Sequence, residues 1–149
     1  MKEYFSTKRY GHERGLSCAF RQWKATSHCN ALHGYALSFE FVFGCAELDD
    51  KNWVVDFGGL KKLEKWLRDH FDHKTAVARD DPALDIYFNM DDIGLIDMVI
   101  VDATGCEKFA EMAFEYASNL IFELYQDRCW VESVEVKEHG ANSAICRRK

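Results

Sequence analysis

The chain has 149 residues, 48% hydrophobic and 14% aromatic, with one proline and no low-complexity tract. That is the size and composition of a single globular domain over 1–149, able to bury a core without disulfide or metal staples. Nineteen basic residues stand against 25 acidic, a net charge of −6, and no Lys/Arg-rich run is there to track a phosphate backbone, which argues against nucleic acid as a partner.

The N-terminal residues Met1 to Ser6 lack the apolar centre of a signal peptide. No run approaches the roughly 18 apolar residues of a membrane span. Six cysteines show no CxxC spacing. The expectation is a cytoplasmic protein with no membrane partner, most of whose thiols are small buried hydrophobes.

Residues 4–11 have the aromatic and β-branched content of a strand, and His12 stands where that strand would end. Residues 13–27 are irregular and predict a long loop in which Arg14, Arg21 and Lys24 alternate with Phe20 and Trp23. Those cations suit a solvated surface or the reception of an anionic substrate. From about Tyr35 to Cys45 the chain alternates, with Tyr35, Leu37, Phe39, Phe41 and Phe43 on one face, so one side of this strand is buried.

Immediately before that strand, His28-Cys29-Asn30-Ala31-Leu32-His33-Gly34-Tyr35 concentrates a thiol, two imidazoles and a phenol. Side chains two apart in a strand share a face, so His33 and Tyr35 point the same way, with Cys29 in a loop free to fold back. The stretch suits a reactive thiol held beside a metal-ligand imidazole. It equally suits a buried thiol and a hydrogen-bonded imidazole at a strand start.

After a polar turn at 47–52 and a short extended run at 53–57, Leu60, Leu63, Trp66, Leu67 and Phe71 recur at helical spacing. This helix ends at Asp72-His73, an acid next to an imidazole where the helix dipole favours the charged ring. Residues 75–103 contain a turn at Asp80-Asp81-Pro82, an ambiguous stretch from Leu84 to Met90, and a candidate buried strand from Leu95 to Val101. A second helix runs from about Glu107 to Tyr125 on the stripe Phe109, Met112, Ala113, Tyr116, Ala117, Leu120.

The last segment predicts a hairpin of 130–138 with 143–147. In it Glu138 shares a face with Val134 and Val136, and a buried acid is costly unless paired. The order β, β, α, α, β, β is an α+β pattern, helices on one face of an antiparallel sheet whose open edges invite pairing with another copy.

In chain order, then, stand His12, Cys29-Asn30-Ala31-Leu32-His33-Gly34-Tyr35, Asp56-Phe57-Gly58-Gly59-Leu60-Lys61, Phe71-Asp72-His73-Lys74, Gly105-Cys106-Glu107 and Val136-Lys137-Glu138-His139. This ordered set resembles the 6-pyruvoyltetrahydropterin synthase / 6-carboxytetrahydropterin synthase family. That family's pattern is a strand-end His, Cys-x-x-x-His-Gly-His, a DF-x-x-LK helix start, Leu-Asp-His, and a late Glu-Thr before a hairpin turn. The resemblance spans nearly the whole chain.

It implies the tunnelling fold, in which subunits of a homo-oligomer close their sheets into a barrel and build active sites at their interfaces. It implies a catalytic Zn²⁺ held by three imidazoles with an open position. His12 and His33 match two of these, and Tyr35 stands where the third would be, with His28 as a possible substitute. Another placement sets Leu16-Ser17-Cys18-Ala19-Phe20 on the first-ligand strand and carries no His. His12 is preferred because it puts the first strand near the N-terminus and leaves 13–27 as an insertion.

By the same resemblance Cys29 is the catalytic thiol, Asp72 and His73 a proton relay, Glu138 the anchor of a pterin ring and Glu107 a second substrate contact, with Gly105 where a Thr is usual. Proton removal beside a carbonyl or imine needs a base, an acid and an electrophile, which thiolate, imidazole and zinc would supply.

The implied activity is a zinc-dependent lyase acting on 7,8-dihydroneopterin triphosphate. The step from Cys29 to His33 resembles the 6-carboxytetrahydropterin synthases, on the route to queuosine, more than the pyruvoyl enzymes. The alternatives are a pterin-binding homologue without lyase activity, 6-pyruvoyltetrahydropterin synthase itself, or another pterin substrate on the same scaffold.

Overall fold

A computed structural model describes residues 1–149. Its spine is β3 (His33–Cys45), whose core-facing residues Leu37, Phe39, Phe41 and Phe43 have no solvent exposure. Two strands share one edge of β3. β1 (Tyr4–Tyr10) pairs with its second half, ending with Tyr10 opposite Phe39. β2 (Leu16–Phe20) pairs with its first half, from Leu16 opposite Leu37 to Phe20 opposite His33.

Between them residues 11–15 loop out as a single 3-10 turn, closed by Gly15 at φ 70°, whose N–H donates to the His12 carbonyl at 3.1 Å. The expected loop over 13–27 therefore contains a strand. Its signal was the short alternation Leu16, Cys18, Phe20, all three buried, against Ser17 and Ala19.

The other edge of β3 carries β6 (Cys129–His139), which pairs with β7 (Asn142–Arg147) as the expected C-terminal hairpin. On the β2 side the sheet continues with β4 (Lys74–Ala78) and β5 (Met98–Val101), both in parallel pairings. The full seven-stranded sheet runs β5-β4-β2-β3-β6-β7, with β1 on the β2 edge of β3.

The sheet is mixed, not purely antiparallel, because residues 75–103 form a βαβ unit. A parallel pair needs a crossover, and α2 (Leu84–Asp92) supplies it between β4 and β5. The extended run expected at 53–57 is not a strand; it leads into a 3-10 turn at Phe57–Leu60, capped by the Asp56 side chain accepting from the Gly58 N–H at 2.9 Å.

α1 (Lys61–Phe71) and α3 (Cys106–Tyr125) bury their apolar stripes on the helix-covered face of the sheet. Phe71 meets Phe39 at a 43° tilt with 4.8 Å between ring centroids and meets Phe109 edge-on at 5.2 Å. Aromatic pairs at these separations add roughly 0.5–1.5 kcal/mol beyond the area they bury. Residues directly opposite in antiparallel pairs share a face. His33, Tyr35 and Phe20 therefore lie on the same face as this aromatic core, at the rim where β2 ends and β3 begins.

Candidate active site

At that rim a cavity of about 320 Å³ is lined by Phe20, Cys29, His33, Thr104, Glu107 and Glu138, among others. Four of the side chains singled out in the sequence, Cys29, His33, Glu107 and Glu138, thus come together, although 109 positions separate the first from the last. A larger cavity of about 520 Å³ lies between the start of β1 and residues 48–57. Its lining, Tyr4, Phe5, Trp53 and Phe57 among them, offers no thiol or imidazole, so the smaller one is the candidate site.

Cys29 sits in a 3-10 turn, His28–Asn30, whose preceding residue Ser27 accepts from the Cys29 N–H at 3.3 Å. The Cys29 carbonyl accepts from the Gln22 N–H at 3.0 Å. Asn30 closes the loop from within, its amide donating to the Trp23 carbonyl at 2.7 Å and to that of Ala25 at 3.2 Å.

Beneath the loop Arg21 forks onto Asp81 at 2.9 and 2.7 Å and also donates to the Asn30 carbonyl and side-chain oxygen, each at 3.2 Å. The Arg21 hydrogen bond holds the Asp81 carboxyl below the usual carboxylate range, against the opposing effect of burial. Thr104 donates to the Arg21 carbonyl at 2.6 Å and so fastens the entry of α3 to the same loop.

His33 places Nδ1 at 2.7 Å from the Ala31 carbonyl. A carbonyl only accepts, so Nδ1 carries the proton and Nε2 is the ring's free acceptor. Tyr35 packs edge-on to His33 at 5.3 Å and lies 6.1 Å from the His139 ring. Burial first, then the negative charge of Glu138, pushes its phenol pKa up, so Tyr35 stays a protonated donor.

Above the cavity α3 begins at Gly105, whose φ of 115° is open to glycine and strained for any other residue. Next to it, burial and the charges of Glu138 and Glu107 push the Cys106 thiol up to about 12. Cys106 is thus a neutral thiol against two carboxylates.

Three expected residues lie elsewhere. His12 belongs to the turn between β1 and β2, its Nδ1 against the Ala36 carbonyl. Ala36 is three residues from His33, about 10 Å along the strand. The end of β1 falls at the middle of β3, so the residue that reaches the rim beside His33 is Phe20, the position the second placement of the sequence had set on the first-ligand strand.

Asp72 and His73 are paired, with Nδ1 of His73 donating to Asp72 at 2.6 Å and Arg68 adding a contact at 3.1 Å. Those bonds, His73 first, keep the Asp72 carboxyl low. The His73 side chain is 86% exposed and does not line the cavity. His28 is exposed as well.

Sequence reasoning missed Phe20 as a wall of the site, Thr104 as its fastening, and the Arg21–Asp81 fork. For Thr104 the available signal was its place three residues before Glu107; for the fork there was none, because the partners lie 60 residues apart.

Comparison with known proteins bears on the fold and the family. Among solved structures, an uncharacterised protein of Wolinella succinogenes superposes over 100% of both chains with a TM-score of 0.84 at 18% identity. The 6-pyruvoyl tetrahydropterin synthase of Plasmodium falciparum superposes over 99% of both with a TM-score of 0.71 at 14% identity. These likenesses establish the shared fold.

Among curated proteins, the 6-carboxy-5,6,7,8-tetrahydropterin synthase of Rickettsia conorii is 35% identical over 54 residues, 36% of this chain and 39% of that protein. The protein of the same name from Aquifex aeolicus is 29% identical over 68 residues, 46% of this chain and 42% of that protein. The chain thus matches about two fifths of the length of these relatives. The profile of the family described as 6-pyruvoyl tetrahydropterin synthase matches residues 11–149, nearly the whole chain, and the chain belongs to that family.

Proposed function

We propose that the protein is a pterin-processing lyase of the 6-carboxytetrahydropterin synthase type, acting on 7,8-dihydroneopterin triphosphate in the supply of deazapurines such as queuosine. The observation that carries this reading is the convergence of Cys29, His33, Glu107 and Glu138 on one cavity walled by aromatic rings. A pterin offers a flat ring to such a wall and adjacent N–H donors to a carboxylate, and Glu138 would accept two of them. Cys29 and the Nε2 of His33 would take and return protons at carbons of the ring's side chain. Support from relatives is the name borne by the Rickettsia and Aquifex proteins.

Zinc, which the family resemblance brings with it, does not fit the residues present. No three His, Cys, Asp or Glu side chains form a group that could hold a metal ion, and Phe20 fills the place beside His33. No step is therefore assigned to a metal. Asp72 and His73 would serve a cavity formed with a second copy of the chain, in a homo-oligomer. No helix is long and apolar enough to cross a membrane.

The test is a product assay on 7,8-dihydroneopterin triphosphate. Acetaldehyde with 6-carboxytetrahydropterin supports the reading; a 6-pyruvoyl product moves the chain to the other branch. Phe20 and Tyr35 favour one second reading, a pterin-binding protein without lyase turnover. Tight pterin binding with no product, even with added Zn²⁺, would establish that one instead.

A further inference from the structure

The sheet register decides which side chains can share a ligand with His33. Directly opposite it on β2 is Phe20, and two residues along β3 on the same face is Tyr35. The three rings form one continuous wall, with centroid separations of 5.7 Å for Phe20–His33, 5.3 Å for His33–Tyr35 and 6.0 Å for Phe20–Tyr35.

Phe20 is only 4% exposed and packs edge-on against Phe109 at 5.0 Å, which ties its ring to the core. Carbon occupies the position from which a second imidazole would reach a metal. The remaining donors, Cys29, Glu107 and Glu138 included, do not compensate, because no three His, Cys, Asp or Glu side chains form a group that could hold a metal ion. Cys18, opposite Tyr35, turns its thiol to the Ala19 carbonyl at 3.8 Å. His12 is held at the Ala36 carbonyl.

We propose that this pocket handles its ligand without a resident zinc ion, and that Phe20 and Tyr35 are the two positions that make it so. His33 is then an acid–base group, its Nδ1 proton fixed on the Ala31 carbonyl and Nε2 free to exchange a proton with the ligand. Tyr35, edge-on to His33 on the same face, puts a phenol in place of a third imidazole. The inference rests on the pterin reading for the identity of the ligand, not for its account of the metal.

The same register makes the inference reversible by substitution. Phe20→His with Tyr35→His would set three imidazoles on one face of two paired strands, which is the donor set of a catalytic zinc site.

The experiment loads wild type, His33→Ala, Phe20→His, Tyr35→His and the double variant with Zn²⁺, desalts them and measures metal per chain, with circular dichroism as the control for folding. Wild type is expected to lose zinc on desalting, with His33→Ala no different, and the folded double variant to retain it stoichiometrically. Stoichiometric zinc in wild type that disappears in His33→Ala overturns the proposal. So does a folded double variant that binds no more zinc than wild type.

Neopterin binding to wild type, followed by ligand fluorescence, is expected to be the same with and without EDTA, and an EDTA-sensitive affinity also counts against the proposal. Zinc retention is read with no pterin present. A failure to bind pterin would therefore sink the functional reading alone, and the metal result would still decide this inference.

Discussion

Glu138 emerges on the apolar face of β6 in the step Val134, Val136, Glu138, and the fold sets it at the cavity beside the buried Cys106 thiol. Glu138→Gln keeps the shape but replaces one accepting oxygen with a donor, opposing the N–H groups of a pterin. A hydrogen bond to a charged group contributes about 1.5–3 kcal/mol, so pterin affinity should fall on the order of 10- to 100-fold, measured by fluorescence titration. An unchanged affinity would mean the ring is anchored elsewhere.

Cys29→Ser tests the acid–base role: turnover should drop about 10²- to 10⁴-fold while pterin affinity stays within a few-fold. Cys29, His33 and Glu138 were legible as candidates because each sits in a short local pattern. The neighbour of His33 was not, because strand pairing and not spacing determines it. The alternation of residues 16–20 pointed to Phe20, and an interrupted edge strand is what placed Phe20 rather than His12 at the rim.

Among the elements, the loop bearing Cys29 depends on the Arg21–Asp81 fork, with side chains 18% and 2% exposed. Asp81→Asn would leave a guanidinium largely out of water without its counter-charge and loosen the Asn30 end of the loop. The expected loss is about 3 kcal/mol of stability, measured by denaturant unfolding, together with faster alkylation of Cys29 as the loop frays.

The pH dependence follows from the direction of the Asp81 shift. A carboxyl whose folded pKa is depressed contributes stability that is fully present above its unfolded value of about 3.9, and lost as pH falls through the lower folded value. The gap between wild type and Asp81→Asn should accordingly be full at pH 7 and shrink in strongly acid solution. A gap that is constant with pH would mean that packing, not charge, holds the fork.

The elements that position this loop were unevenly readable. α1, α3 and the hairpin of β6 and β7 announce themselves by long stripes and alternation. β4 and β5 are short, and a four- or five-residue run has too few periods to distinguish strand from helix.

For the whole molecule, a seven-stranded sheet whose path ends at β5 and β7 still has edges to close. Beside β1, Phe5, Trp53 and Phe57 are between 44% and 49% exposed around the apolar cavity, a surface with the character of a subunit contact. The catalytic candidates are divided in the same sense. Cys29 and His33 line the cavity of their own chain, while His73 is 86% exposed and turned out on the linker between α1 and β4.

If a second copy brings its Asp72–His73 pair to that cavity, the Cys29→Ala and His73→Ala variants should each be inactive alone. Co-expressed, they should regain activity in the mixed oligomer, because some cavities then receive an intact thiol from one chain and an intact imidazole from the other. Native mass spectrometry identifies the mixed species, and the product assay reads its turnover. Mixed oligomers no more active than their parents would place both residues in the same functional unit, whereas a His73→Ala variant that stays active alone would leave the Asp72–His73 pair to capping the end of α1.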